Sequence, residues 1–130
     1  MRYLRAEHVL QMHSFIIDET GGLHGIRDHG RLESAIARPQ QNVFGQELHP
    51  TVFDKAAAYA HAIIFDHPFV DGNKRTAMTA AFVFLEDNGY VSIAEQGEIQ
   101  EYALKIVKKK LDIPVIAAWL KKHSRKIVNP

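Results

Sequence analysis

Residues 53–89 read FDKAAAYAHAIIFDHPFVDGNKRTAMTAAFVFLEDNG, and this stretch decides the fold. Phe53, Ala57, Ala60 and Ile64 recur at i, i+4, i+7 and i+11, with Ala56 and Ile63 widening the stripe. That spacing predicts an amphipathic helix. Pro68 disfavours helical backbone at the residue before it, so this helix ends at about His67. Residues 68–73 form a tight loop. A second helix then runs from about Lys74 to Asn88. It is apolar nearly all round (Ala77, Met78, Ala80, Ala81, Phe82, Val83, Phe84, Leu85), the pattern of a helix buried on most sides. Gly89 is placed to cap it. Two helices joined by so short a loop pack antiparallel or at a steep angle. The expected architecture is therefore all-α, a compact helical bundle with a polar loop between two central helices.

The flanks are less regular. Val9, Leu10, Met12, Ile16 and Ile17 give residues 6–17 a helical spacing that Gly21-Gly22 ends. Residues 20–30 hold too many glycines for a regular element. Gly30 to Arg38 reads as a short helix closed by Pro39. Residues 39–51 read as a loop or short hairpin. Residues 90–93 suit a short extended segment, and 97–110 and 113–126 read as two more helices split by Asp112 and Pro114.

Composition sets bounds on function. A chain of 130 residues is one domain with room for a real core. Its net charge of +1 gives no whole-protein field toward nucleic acid or membrane. Without cysteine there is neither a disulfide nor thiolate chemistry, which fits a reducing compartment. The N-terminus lacks an uninterrupted apolar segment followed by a small-residue cleavage site, and no apolar run approaches a membrane span. A cytoplasmic protein is the expectation, with no membrane partner and no DNA partner by itself.

The loop and the start of the second helix, HPFVDGNKRTA (67–77), concentrate the chemistry. A helix N-terminus offers unpaired N–H groups and a positive dipole end, and so attracts anions. Lys74 and Arg75 fall in that first turn, where the dipole disfavours cations; two of them there suggest a negative ligand. A solvated surface pair is the plain alternative. His67 ends its helix, and its ring can face the loop and take a proton from an attacking hydroxyl, since histidine titrates near neutrality. The ordinary alternative, a helix-end histidine with a satisfied hydrogen bond, is the reading given to the other seven histidines. Asp71 suits a Mg²⁺ ion shared with substrate phosphates, or else a turn or N-cap role. Gly72 and Asn73 suit a positive-φ turn whose N–H groups form an anion nest. Phe69 reads as an apolar plug. Phosphate-binding Gly-x-x-x-x-Gly-Lys-Ser/Thr, His-Glu-x-x-His and cysteine–histidine zinc patterns are missing.

These residues resemble the signature of the Fic/Doc family, His-x-Phe-x-Asp/Glu-Gly-Asn-Gly-Arg-x-x-Arg. His67, Phe69, Asp71, Gly72, Asn73 and Arg75 match it. Lys74 stands in place of a glycine and Met78 in place of the second arginine; both departures are those of the Doc ("death on curing") branch. GIRDHGRLESAIARPQ (25–40) and its spacing to the motif also look like Doc, so the resemblance covers roughly residues 3–120. It implies a single Fic/Doc domain over 1–130 with the all-α Fic fold. Most Fic proteins transfer AMP from ATP to a target hydroxyl. In the Doc branch the resemblance implies that ATP binds reversed and the γ-phosphate is transferred to a Ser or Thr. The implied roles are His67 as base, Asp71 as Mg²⁺ ligand, Gly72 and Asn73 as phosphate nest, and Lys74 and Arg75 as clamp and transition-state stabilisers.

The implied target is elongation factor Tu, and the implied partner a separate antitoxin. The inhibitory Ser/Thr-x-x-x-Glu-Gly/Asn helix of many Fic proteins has no match in this sequence. Residues 40–50 lie where the resemblance places a target-positioning flap, to which an extended target segment could add as a strand; a plain connecting loop is the equal alternative. Two other readings stay open: an AMP transferase that tolerates Lys74, and a non-catalytic nucleotide- or partner-binding module.

Eight of the sixteen Lys/Arg residues fall between Lys105 and Lys126, with Asp112 the single acid among them. A solvated helix face with lysine stems over apolar surface is the plain reading. An acidic target or antitoxin surface, or RNA, is the sharper one. No aromatic stacking set accompanies the charges, which weakens RNA.

Overall fold

The computed structural model describes residues 1–128. Six helices build it: α1 (Ala6–Thr20), α2 (His29–Ala37), α3 (Val52–Asp66), α4 (Asn73–Asp87), α5 (Gln96–Lys109) and α6 (Ile113–Lys122). Two small antiparallel ribbons complete it, β1 (Asn42–Val43) with β2 (Gln46–Glu47), and β3 (Tyr90–Ser92) with β4 (Ser124–Lys126). The all-α expectation holds. None of the described helices is long and apolar enough to cross a membrane.

α3 is the central post, packed most extensively on α4 and then on α6 and α2. It starts at a capping box: Thr51 Oγ1 accepts from the Asp54 N–H at 3.0 Å, and the Asp54 carboxylate accepts from the Thr51 N–H at 3.2 Å. Its run of alanines lets neighbours approach closely. Tyr59, Ile63 and Ile64 of α3 meet Met78, Phe84 and Leu85 of α4 and Ile116 and Leu120 of α6 in one continuous core. The Tyr59 hydroxyl donates nothing to solvent; it accepts from the Leu4 N–H at 3.0 Å and so pins the N-terminus.

Residues 39–51 hold a short hairpin over Asn42–Glu47, entered through one 3₁₀ turn at Arg38–Gln40. Phe44 and Gly45 form its tip with φ of 51° and 79°, the double positive twist of a tight two-residue turn. Its base is held by a buried cation that the helical stripe did not announce. Lys55 is 1% exposed, and its Nζ donates to Glu47 Oε1 at 2.8 Å and to the carbonyl of His49.

One expected element is shorter than its pattern. The helix expected over 113–126 stops at Lys122, and Ser124–Lys126 instead pairs with Tyr90–Ser92. The Ile93 N–H donates to the His123 carbonyl at 2.9 Å, and the Ile127 N–H to the Gly89 carbonyl at 2.8 Å. These bonds to a segment some 30 residues earlier satisfy the backbone better than one more exposed helical turn.

Candidate active site at the start of helix α4

The turn between α3 and α4 is braced from three directions. α3 ends at Asp66, and His67 takes left-handed backbone (φ 50°, ψ 60°) before Pro68. A non-glycine residue there costs about 1–2 kcal/mol. The last helical carbonyls also lack in-helix partners, because the chain leaves the helix before Pro68. Two arginines supply the missing donors. Arg27 donates to the His67 carbonyl through Nε at 2.9 Å and to the Asp66 carbonyl through Nη2 at 3.2 Å; Arg31 donates to the Asp66 carbonyl at 2.9 Å. Their positive charge sits at the negative end of α3.

The glycine-rich segment before α2 lies beside the turn as a strand would. The Arg27 N–H donates to the Pro68 carbonyl at 2.7 Å, the Val70 N–H to the Gly25 carbonyl at 3.1 Å, and Ile26 bridges Phe69. From below, Phe69 is 1% exposed, with the His13 ring stacked on it at 3.8 Å. His13 Nε2–H donates to the Asp71 carbonyl at 2.8 Å, which fixes its tautomer. Inside the turn, Asn73 closes a two-way clamp: its Oδ1 accepts from the Phe69 N–H at 3.0 Å and its Nδ2 donates to the Phe69 carbonyl at 2.9 Å.

The polar groups then fall into place. His67 is exposed, and its Nδ1 lies 3.5 Å from Asn73 Nδ2. At that length the contact steers the ring without fixing which nitrogen carries the proton. Asp71 Oδ1 accepts from the Gly72 N–H at 3.0 Å and Oδ2 from the Leu23 N–H at 3.2 Å, while the carboxylate stays exposed. Gly72, at φ 76°, is the N-cap of α4, and no side chain caps this helix. The first in-helix bond runs from Thr76 N–H to the Gly72 carbonyl at 3.0 Å, so the N–H groups of Asn73, Lys74 and Arg75 are left for a ligand. Lys74 and Arg75 are exposed in this first turn and line a groove of about 550 Å³ between α1, α4 and α5. His67 and Asp71 do not line it. The turn thus leaves His67 and Asp71 exposed around the buried Asn73, while the two cations reach along the groove beside it. Met78 is buried at 2% exposure on the floor of that groove.

The sequence profile of the Fic/DOC family matches residues 3–85, which span α1 to α3, the turn and most of α4. The chain belongs to the Fic/Doc family. It is 39% identical over 121 residues to "Toxin Doc" of Mycolicibacterium smegmatis, covering 91% of this chain and 90% of that protein. It is 32% identical over 122 residues to "Protein kinase doc" of Escherichia phage P1, covering 94% of this chain and 95% of that protein.

Several residues that shape this Fic/Doc turn carry little sign of that role in the sequence. His13 reads as one more ordinary histidine; its one signal is its place in the buried Val9–His13–Ile17 face of α1. Arg27 and Arg31 left no local trace, because their partners lie 35–40 residues away. Gly22 reads only as a helix end. At φ 113°, strained for any L side chain, a Cβ on it would also stand 2.8 Å from Asp71 Oδ2, so a larger residue would push the carboxylate aside.

Proposed function

We propose that this Fic/Doc protein is the toxin of a toxin–antitoxin pair and a protein Ser/Thr kinase. It moves the γ-phosphate of ATP onto a hydroxyl of a translation factor, with elongation factor Tu as the candidate target. The observation that carries the reading is an exposed imidazole, His67, beside a helix N-terminus that no side chain caps and that bears two cations. The printed names of the two relatives, a toxin and a protein kinase, support the same direction.

The residues divide the work. His67 takes the proton of the target hydroxyl as its oxygen bonds to the γ-phosphorus and the bond to the β-phosphate oxygen breaks, releasing ADP. The unpaired N–H groups of Asn73, Lys74 and Arg75 and the dipole of α4 receive phosphate oxygens. Lys74 acts as a point charge and Arg75 as a planar donor fork on the charge that develops in transfer. Buried Met78 offers no second guanidinium, which favours γ-transfer over the AMP transfer of most of the family. Asp71 fits a Mg²⁺ role: it is exposed, and each carboxylate oxygen accepts one backbone N–H and keeps a lone pair. A bound Mg²⁺ would offset phosphate charge. The Asn42–Glu47 hairpin, with Phe44 fully exposed at its tip, is the surface assigned to the target. Restraint falls to a separate antitoxin, since the sequence carries no inhibitory helix motif.

The test is incubation of bacterial extract with the protein and ATP labelled separately at the α- and γ-phosphates. The γ-label should appear on one translation factor with a mass gain of about 80 Da, and His67→Ala should lower transfer about a thousandfold. Label from the α-phosphate points to AMP transfer instead. A cellular effect that survives His67→Ala with no label transferred points to a binding module.

A further inference from the structure

Three positions on one face of α1 meet three positions of the motif. His13 donates to the Asp71 carbonyl, Ile17 Cδ1 stands 3.0 Å from where a Gly72 Cβ would lie, and Thr20 Oγ1 accepts from Arg75 Nη1 at 2.6 Å. Positions 13, 17 and 20 follow i, i+4, i+7, a single helical stripe. The first two contacts fix backbone. The third fixes a side chain assigned to phosphate.

Arg75 needs such a hold. It is exposed, and a free arginine samples many rotamers, so it is a poor preset clamp unless something restrains it. Thr20 is suited to the task, because its hydroxyl hydrogen goes to the Ile16 carbonyl at 2.6 Å and its lone pairs are left for the guanidinium. The helix dipoles act in the same sense. The positive start of α4 pushes the guanidinium off, and the negative end of α1, with no basic residue in its own last turn, draws it in. Thr20 takes one guanidinium N–H of five, and both residues line the same groove.

We propose that Thr20 is a positioning residue that presets the Arg75 guanidinium for the nucleotide phosphates without touching the nucleotide. The proposal rests on the reading of Arg75 as a phosphate clamp. Calorimetric titration of the full-length protein with ATP and Mg²⁺ tests it. Thr20→Val keeps the shape and removes the acceptor; the Kd for ATP should rise about tenfold, the scale of one charge-assisted hydrogen bond. Tm should stay unchanged, and Thr20→Ser should bind ATP as the parent does. In an Arg75→Ala background, Thr20→Val should add nothing. The proposal falls if Thr20→Val binds ATP normally, if serine fails to substitute, or if the tenfold loss persists without Arg75. Normal ATP binding by Arg75→Ala removes the clamp reading and this proposal together; weak binding by Arg75→Ala with Thr20→Val silent removes only the role of Thr20.

Discussion

The two loops that flank α3 are built on opposite plans. The turn at its C-terminal end, residues 67–72, has backbone groups bound from α1, from the segment before α2 and from Asn73 within. The hairpin at its N-terminal end is secured at the base by Lys55 and leaves Phe44 fully exposed at the tip. The difference matches their proposed tasks. Proton and phosphoryl transfer demand reacting groups fixed to fractions of an ångström, whereas a strand-like docking surface tolerates adjustment along its length.

Paired substitutions put that contrast under the greatest strain. Asn73→Ala deletes both bonds to the Phe69 backbone and leaves a buried N–H and carbonyl unpaired, so urea unfolding should show a loss of about 2–4 kcal/mol. ATP binding should weaken with it. Lys55→Met deletes the hairpin anchor; unfolding should show a loss of about 1–3 kcal/mol, and ATP affinity should not change. If Lys55→Met weakens ATP binding as much as Asn73→Ala does, the two loops are not independent and the contrast fails.

Acid should separate the two ends of α3 next. Burial pushes His49, beside the hairpin base, and His61, within α3, below the ordinary histidine value of 6.5. His49 Nε2 and His61 Nδ1 are buried without a partner. Between the lowered folded pKa and 6.5 the unfolded chain binds more protons than the folded one, so stability declines as pH falls through that window. Thermal melts at pH 7.5 and pH 5 measure the decline, and His49→Gln should flatten part of it. A melt indifferent to His49→Gln would place the acid sensitivity elsewhere.

The smallest effect belongs to the hairpin tip. Phe44 makes the turn with a positive φ of 51° and shields nothing. Phe44→Gly relieves strain in the folded turn and loosens the unfolded chain, so Tm should move little, by the equivalent of about 1 kcal/mol or less. The KM for the protein target should rise all the same. A large stability loss here would mean that the tip packs in solution.

What could be read from sequence follows the range of the interactions. The α3–α4 pair, the break at Pro68, the cap region at Gly89 and the short α2 helix declare themselves through local periodicity and proline or glycine punctuation. The motif residues are legible because they lie within nine positions of one another. Lys55 is not, since a lysine beside an apolar stripe reads as solvated until Glu47 and the His49 carbonyl close over it. Nor are His13, Gly22, Arg27 and the true end of α6, whose partners sit some 30 to 60 positions away. Pairing at that distance leaves no period in the chain.

The missing methyl at Gly72 has one last effect. With Ile17 and His13 at 3.0 and 3.7 Å from where a Gly72 Cβ would lie, α1 backs directly onto the start of α4, whose free N–H groups are proposed to receive phosphate. A side chain larger than Ile17 at position 17 would therefore press first on Gly72 and displace the start of α4, without altering any group proposed for the reaction.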